Sequence, residues 1–247
     1  RCVGLFSYIN GADIRQLVLT EVNIIGGFYV GGLAGCARSN NTLEANTMMG
    51  SVESIYSGGA YTGGLLGYIN RNNVIRANLV SGRVAAEGDN VGGLIGEAGL
   101  YNTVEGNLST AWVEGSSGVG GLLGGTYWFL SLLQTNTLRN NYWATDASGQ
   151  STSYGSRREN NYSGLELTTL RCEVTANGSD CSDTTLYNNW DTYGVTDTNG
   201  VFQPYWDFGS NQQLPALNLN GIIHRDSDGD GVADDIDVYP LSFAAST

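Results

Sequence analysis

The sequence predicts an all-β fold: a β-helix, or β-solenoid, of about five three-strand rungs with a C-terminal β-rich capping module. Three observations carry this. One phrase recurs as VGGLAG from Val30, TGGLLG from Thr62, VGGLIG from Val91 and VGGLLG from Val119, after a worn copy, CVGLFS, from Cys2. The leucines of the five copies (Leu5, Leu33, Leu65, Leu94, Leu122) fall 28, 32, 29 and 28 residues apart, a period at which stacked repeats share one continuous core. The composition of 36 glycines, 3 prolines and 14 tyrosines in 247 residues suits a turn-rich β chain.

A second phrase follows each tag: NTLEAN from Asn41, NVIRAN from Asn73, NTVEGN from Asn102 and NTLRNN from Asn136. Within it Leu43, Ile75, Val104 and Leu138 form an apolar column, and Ile14 takes that place in the first copy. The next column reads Arg15, Glu44, Arg76, Glu105, Arg139. Period-two alternation puts the apolar column inside and the charged one outside, and each charge then faces its opposite on neighbouring rungs. Asn46, Asn78, Asn107 and Asn141 recur at the end of the phrase and are expected to stack as an internal amide ladder. A third strand is centred on Val52, Val84 and Val113. Five rungs at the usual strand spacing make a rod of about 24 Å.

Net charge is −13, and it is unevenly spread. Residues 1–150 carry seven basic and ten acidic groups, residues 151–220 three and eight, and residues 221–247 one and six. With no basic stripe, nucleic-acid binding is excluded. No apolar run approaches the length of a membrane span, which argues against membrane insertion. Arg1 opens inside a worn repeat without a signal peptide, so the chain is expected to continue upstream.

The sharpest chemical motif is DSDGDGVADDID, Asp226 to Asp237. As a twelve-position loop it places Asp226, Asp228 and Asp230 at positions 1, 3 and 5 and glycine at 6. Val232 would ligate through its carbonyl, Asp234 through water, and Asp237 would close the shell. Oxygen ligands in this number suit Ca²⁺ better than Mg²⁺, which keeps more of its waters.

The tag array resembles the GLUG repeats of large secreted bacterial surface proteins. NNYWATDASGQSTSYG from Asn140, SGLELTTL from Ser163 and YWDFGSNQQLPAL from Tyr205 resemble the segments that close such arrays. The acidic loop followed by VYP resembles thrombospondin type 3 calcium repeats. The resemblance implies a β-helical, extracellular, adhesive protein, and it supplies no catalytic residues. It divides the chain into a solenoid (1–149), a capping module (150–220) and a calcium-binding loop and linker (221–247).

The cysteines suit an oxidising compartment. Cys172 and Cys181 bracket a short glycine-containing loop that a disulfide would close. Cys2 and Cys36 occupy different columns, so their pairing needs a rung-to-rung approach around a corner; both that bridge and an upstream partner for Cys2 stay open. Zinc is disfavoured, with one histidine, His224, and no CxxC.

Two aromatic groups are candidate ligand-binding features. Trp128 and Phe129 lie in an insertion of the fifth copy, and Trp190, Tyr205 and Trp206 lie in the C-terminal module. The first is either an exposed docking patch or covered by residues 150–220, and the second either stacks on sugars or builds the interior of a capping domain. Asp191, Asp197 and Asp207 show no catalytic spacing. The reading is a non-catalytic, calcium-stabilised adhesive or structural module at the cell surface or outside the cell. Its partner would be a surface glycan, a protein or neighbouring copies of itself. A carbohydrate-binding module of a secreted enzyme is the alternative, and a β-helical polysaccharide lyase a third.

Overall fold

The structure is a computed structural model and describes residues 1–126, 136–155, 163–171, 174–175, 178–179, 186–210 and 212–242. Four parallel sheets run side by side along a β-solenoid of about four turns. In the second coil the strands are Tyr29–Gly31, Ala34–Ser39, Thr42–Glu44 and Thr47–Ser54. The expected three strands per rung therefore become four. Gly32 and Leu33 bend the tag at its centre, so its two halves enter different sheets.

Equivalent phrases pair in register, with one slip between Leu19 and Val22 in the first coil. Val30 faces Thr62, Leu66 faces Ile95, Ile75 faces Val104 and Val84 faces Val113. The tag leucines from Leu33 to Leu122 and the column Leu43, Ile75, Val104 and Leu138 are buried in one core. Leu5 belongs to the terminal coil and is 52% exposed. At the other end residues 152–153 continue the ladder: the Leu122 and Leu123 N–H groups donate to the Ser153 carbonyl at 3.1 and 2.9 Å. Trp143 and Tyr154 close the apolar interior there.

The tag glycines answer a packing need. The first and second sheets approach backbone to backbone, and a Cβ on Gly67 would lie 2.6 Å from both the Gly35 oxygen and the Val30 nitrogen. No side chain fits between them.

Two asparagine ladders cross the interior. Asn46 donates its backbone N–H and its Nδ2 to Oδ1 of Asn78, both at 3.0 Å, and Asn78 does the same to Asn107, both at 2.9 Å. Asn107 repeats it to Asn141 at 3.1 and 2.8 Å. A parallel chain runs Asn41, Asn73, Asn102, Asn136 with bonds of 2.8–3.2 Å. Each ladder sits just after a corner. Ala45, Ala77, Gly106 and Asn140, with φ of 55, 53, 65 and 52°, precede the first, and Asn40, Asn72 and Tyr101 precede three members of the second. Left-handed backbone costs about 1–2 kcal/mol at a residue with a Cβ, and the amide acceptors of the next coil offset that cost.

The C-terminal module lies along the flank of the third and fourth sheets. Its elements are a hairpin of Gly194–Thr196 with Phe202–Pro204 and a three-stranded antiparallel sheet of Trp206–Asp207, Ala216–Leu219 and Ile222–His224. Tyr187, Trp190, Trp206 and Leu217 share a second core with Ala45, Met49, Ala77 and Leu79 of the rod. The alanine corners leave a flat surface for those large rings.

A disulfide joins Cys2 to Cys36 with a Cα–Cα distance of 5.6 Å. It ties the first sheet of the first coil to the second sheet of the next. Cys172, Cys181, Trp128 and Phe129 lie outside the described residues. Among the described residues no helix is long and apolar enough to cross a membrane.

Candidate metal centre

The fourth sheet carries two stacked glycines, Gly50 opposite Gly82, with φ of 132 and 97°. They leave bare backbone on the rod's outer face, a place where another chain can approach closely. The acidic segment is laid on it. Gly82 donates its N–H to the Gly229 carbonyl at 3.1 Å. A Cβ on Gly231 would lie 2.7 Å from the Gly82 Cα, and one on Gly229 would lie 2.8 Å from the Thr110 Cβ. The Ser81 side chain lies beside Asp226 and opposes the rise of its pKa, and Arg171 Nε donates to the Ser227 carbonyl at 2.9 Å. The loop is thus fastened to the rod as well as to its own module.

Inside the loop, carboxylates hold the backbone in tight turns. Asp226 accepts from the Gly229 and Gly231 N–H groups at 2.7 and 2.8 Å. Asp228 accepts from Asp230 N–H at 3.2 Å, and Asp230 from Val232 N–H at 2.9 Å. One carboxylate oxygen from each of Asp226, Asp228 and Asp230 lies within 4.8 Å of the others. Asp228 is 1% exposed, and its Oδ2 meets no hydrogen-bond donor. Burial raises the pKa of Asp226 and of Asp228; the charge of Asp228 adds to the shift on Asp226, and those of Asp230 and Asp237 to the shift on Asp228. Crowded buried carboxylates disfavour ionisation unless a cation supplies the opposite charge.

Asp234, Asp237 and Val232 each carry hydrogen bonds of the loop's own backbone or side chains. Both oxygens of Asp234 accept from Ser227, one from its N–H and one from its hydroxyl, each at 2.7 Å. Asp234 therefore braces the loop across its mouth. Asp237 is close enough for Asp228 to feel its charge, while its Oδ1 accepts from Tyr239 N–H at 2.8 Å. Val232 follows the glycine bend with its N–H turned to Asp230.

The aromatic candidates are interior. Trp190 and Trp206 pack with ring centroids 4.3 Å apart and are buried, and Trp190 Nε1 donates to the Asn140 carbonyl at 3.0 Å. Tyr205 is buried over the charged column, where Arg15 hydrogen-bonds its hydroxyl. Of the two readings of Trp190, Tyr205 and Trp206, sugar platform or interior, the burial fits the interior one: the second core covers these rings. The charged column itself forms as expected, with Arg15–Glu44 at 2.7 Å, Arg76–Glu44 at 2.9 Å, Arg76–Glu105 at 3.9 Å and Arg139–Glu105 at 2.6 Å. Its glutamates are buried beneath the C-terminal module, whereas the sequence placed the column in solvent. Asp207 pairs with Arg225, and Asp197 caps the hairpin turn by accepting from the Asn199 and Val201 N–H groups at 2.8 and 2.9 Å. Both acids are engaged in holding local structure.

One titratable group escaped the sequence reading. Glu97 is buried beside Tyr61, which hydrogen-bonds it, and Asn90 Nδ2, which donates at 3.2 Å. Tyr29, Tyr61 and Tyr68 stack around this place with centroids 5.2–5.9 Å apart. Burial pushes the Glu97 carboxyl up to about 7 and the Tyr61 phenol up to about 12. A carboxyl raised in the fold stabilises most while it is neutral in both states. Its contribution is full below about pH 4.5, falls as pH rises toward 7 and is flat above. Glu97→Gln should remove that slope, gaining up to about 3 kcal/mol over the parent at pH 8 and little at pH 4. Urea titrations at both pH values check it; equal gains at the two would refute the assignment.

No protein-family model matches the chain, and no curated protein matches it significantly. Among solved structures it is similar to a crystal structure of a "putative immunoglobulin A1 protease" from Bacteroides ovatus, with a TM-score of 0.57 and 16% sequence identity over 85% of this chain. The chain spans 65% of the length of that structure. At this identity the likeness is one of fold, and it places this solenoid among architectures already seen in a bacterial protein.

Proposed function

We propose that the protein is an extracellular, non-catalytic surface module, a GLUG-type rod whose C-terminal module is held on its flank by a calcium-binding loop, and that it serves adhesion or structure. The observation that carries the reading is the loop: three carboxylates converge, the buried Asp228 Oδ2 has no donor, and the loop backbone rests on the glycine seat of the rod. Asp226, Asp228 and Asp230 would hold the ion, with the Val232 carbonyl and Asp237 completing an oxygen shell and Asp234 holding the loop closed. Bound Ca²⁺ would neutralise the buried carboxylates and stiffen the turn. The Cys2–Cys36 bridge supports an oxidising compartment. The charged column supports a structural reading of the repeat, because its acids are held in ion pairs.

Ligand-linked stabilisation tests the calcium reading. At a calcium concentration one hundred times Kd the module should gain about 2.7 kcal/mol. Chelator should expose residues 221–242 to protease and shift the fluorescence of Trp190 and Trp206, with the far-ultraviolet β signal of the rod unchanged. If calcium neither binds stoichiometrically nor alters protease sensitivity, the reading fails. A second reading, a binding module of a secreted enzyme, draws on the structural neighbour named for a protease. Hydrolysis or lysis of a protein or polysaccharide by the isolated chain would overturn the non-catalytic reading.

A further inference from the structure

A groove of about 460 Å³ runs between the acidic loop and the outer face of the first coils, within the size range of small-ligand sites. One wall is the segment Thr20–Asn23. There the pairing register slips by one residue between Leu19 and Val22, and Glu21 stands at φ 55°. A bulge of this kind bends the strand and re-aims its side chains, and non-glycine residues held in the left-handed region cluster at sites that use them. The opposite wall is Asp230 to Ala233 with Ile236, and Gly50, Ser51 and Arg83 lie between the walls.

The lining sets the ligand chemistry. Thr20, Asn23 and Ser51 offer two hydroxyls and an amide, each able to donate and accept. Glu21 offers a carboxylate acceptor. Arg83, the cation of the groove, is already matched by Glu53 at 3.5 Å and Glu114 at 3.3 Å. Phosphates, sulfates and uronic acids therefore meet no spare positive charge. Val22, Val232 and Ile236 add an apolar side. A polyol with hydroxyls on one edge and C–H groups on a face fits these features.

We propose that this groove binds a neutral oligosaccharide of two or three sugar rings, with Glu21 and Asn23 selecting the ring by its hydroxyls. The proposal deepens the surface-module reading by naming the ligand class, and it rests on that reading.

Isothermal titration of the full chain in calcium tests it. The probes are neutral di- and trisaccharides of glucose, mannose, galactose and N-acetylglucosamine, uronic-acid trisaccharides, and a lysine-rich peptide. We expect saturable binding of at least one neutral probe and none of the anionic ones. Asn23→Ala and Glu21→Gln should each weaken it at least tenfold with the melting temperature unchanged. Binding of no neutral probe, preference for an anionic or cationic probe, or unaltered affinity in both variants would overturn the proposal. Calcium content and chelator response, measured on the same samples, report separately on the module reading, so either idea can fail alone.

Discussion

Asn78→Ala should be the most damaging single substitution in the rod, costing about 3–4 kcal/mol. The Asn78 Oδ1 is the acceptor for both the backbone N–H and the Nδ2 of Asn46, and its own Nδ2 donates to the Leu43 and Arg76 carbonyls. Alanine leaves those groups buried without their partner, and each orphaned group costs about 1–3 kcal/mol. In a stacked repeat the damage falls on the interfaces with the coils above and below. Urea unfolding followed by far-ultraviolet circular dichroism should show a lower midpoint and a broader transition. A loss below about 1 kcal/mol would mean that the strand hydrogen bonds alone hold the stack and the ladder adds little.

Gly67→Ala ranks second. The added methyl has backbone on both sides, the Gly35 oxygen and the Val30 nitrogen each 2.6 Å away, so no side chain can rotate out of its path. Relief requires the first and second sheets to part, and overpacking of this kind costs about 1–3 kcal/mol, more where backbone must move. Because the two sheets diverge locally, water should reach Glu97 and relieve the burial that raises its carboxyl. The variant would then carry a Glu97 carboxyl nearer its ordinary value, readable by carbonyl NMR titration. A stability equal to the parent would show that the corner has slack.

How much of this could be read from residues alone follows from where each pattern lives. The leucine column, the Asn46–Asn141 ladder and the alternating Arg/Glu column were legible because each is a one-residue property repeated in register. The second asparagine ladder lies in the same phrase, and three of its members follow left-handed residues, of which Asn40 and Asn72 are asparagines themselves. The count of strands per coil is hidden because a Gly-Gly corner inside a continuous apolar phrase looks like one strand. Burial of Glu44 and Glu105 was hidden, since it depends on the C-terminal module folding back over the rod. The same return of the chain took Trp190 and Trp206 from candidate sugar platforms into a core. In the loop, the aspartate spacing was legible, while the docking of Gly229 and Gly231 on Gly50 and Gly82 joins segments more than a hundred residues apart. Glu97 gave no signal, because its environment is made by tyrosines from other coils.

The bridge between Cys2 and Cys36 changes how the rod would carry tension. The two cysteines are 34 residues apart, so the covalent loop they close holds a whole coil. A pull applied at Arg1 enters the bridge after one residue and reaches Cys36 directly. Residues 3–35 are bypassed, and that coil cannot be drawn out into extended chain while the sulfurs stay joined. Force instead arrives in the middle of the Ala34–Ser39 strand, which is hydrogen-bonded to neighbours on both sides. Reduction would return the first coil to the line of load and lengthen the chain under force by one coil's worth of residues. In an oxidising setting the rod would meet mechanical stress with its first coil locked.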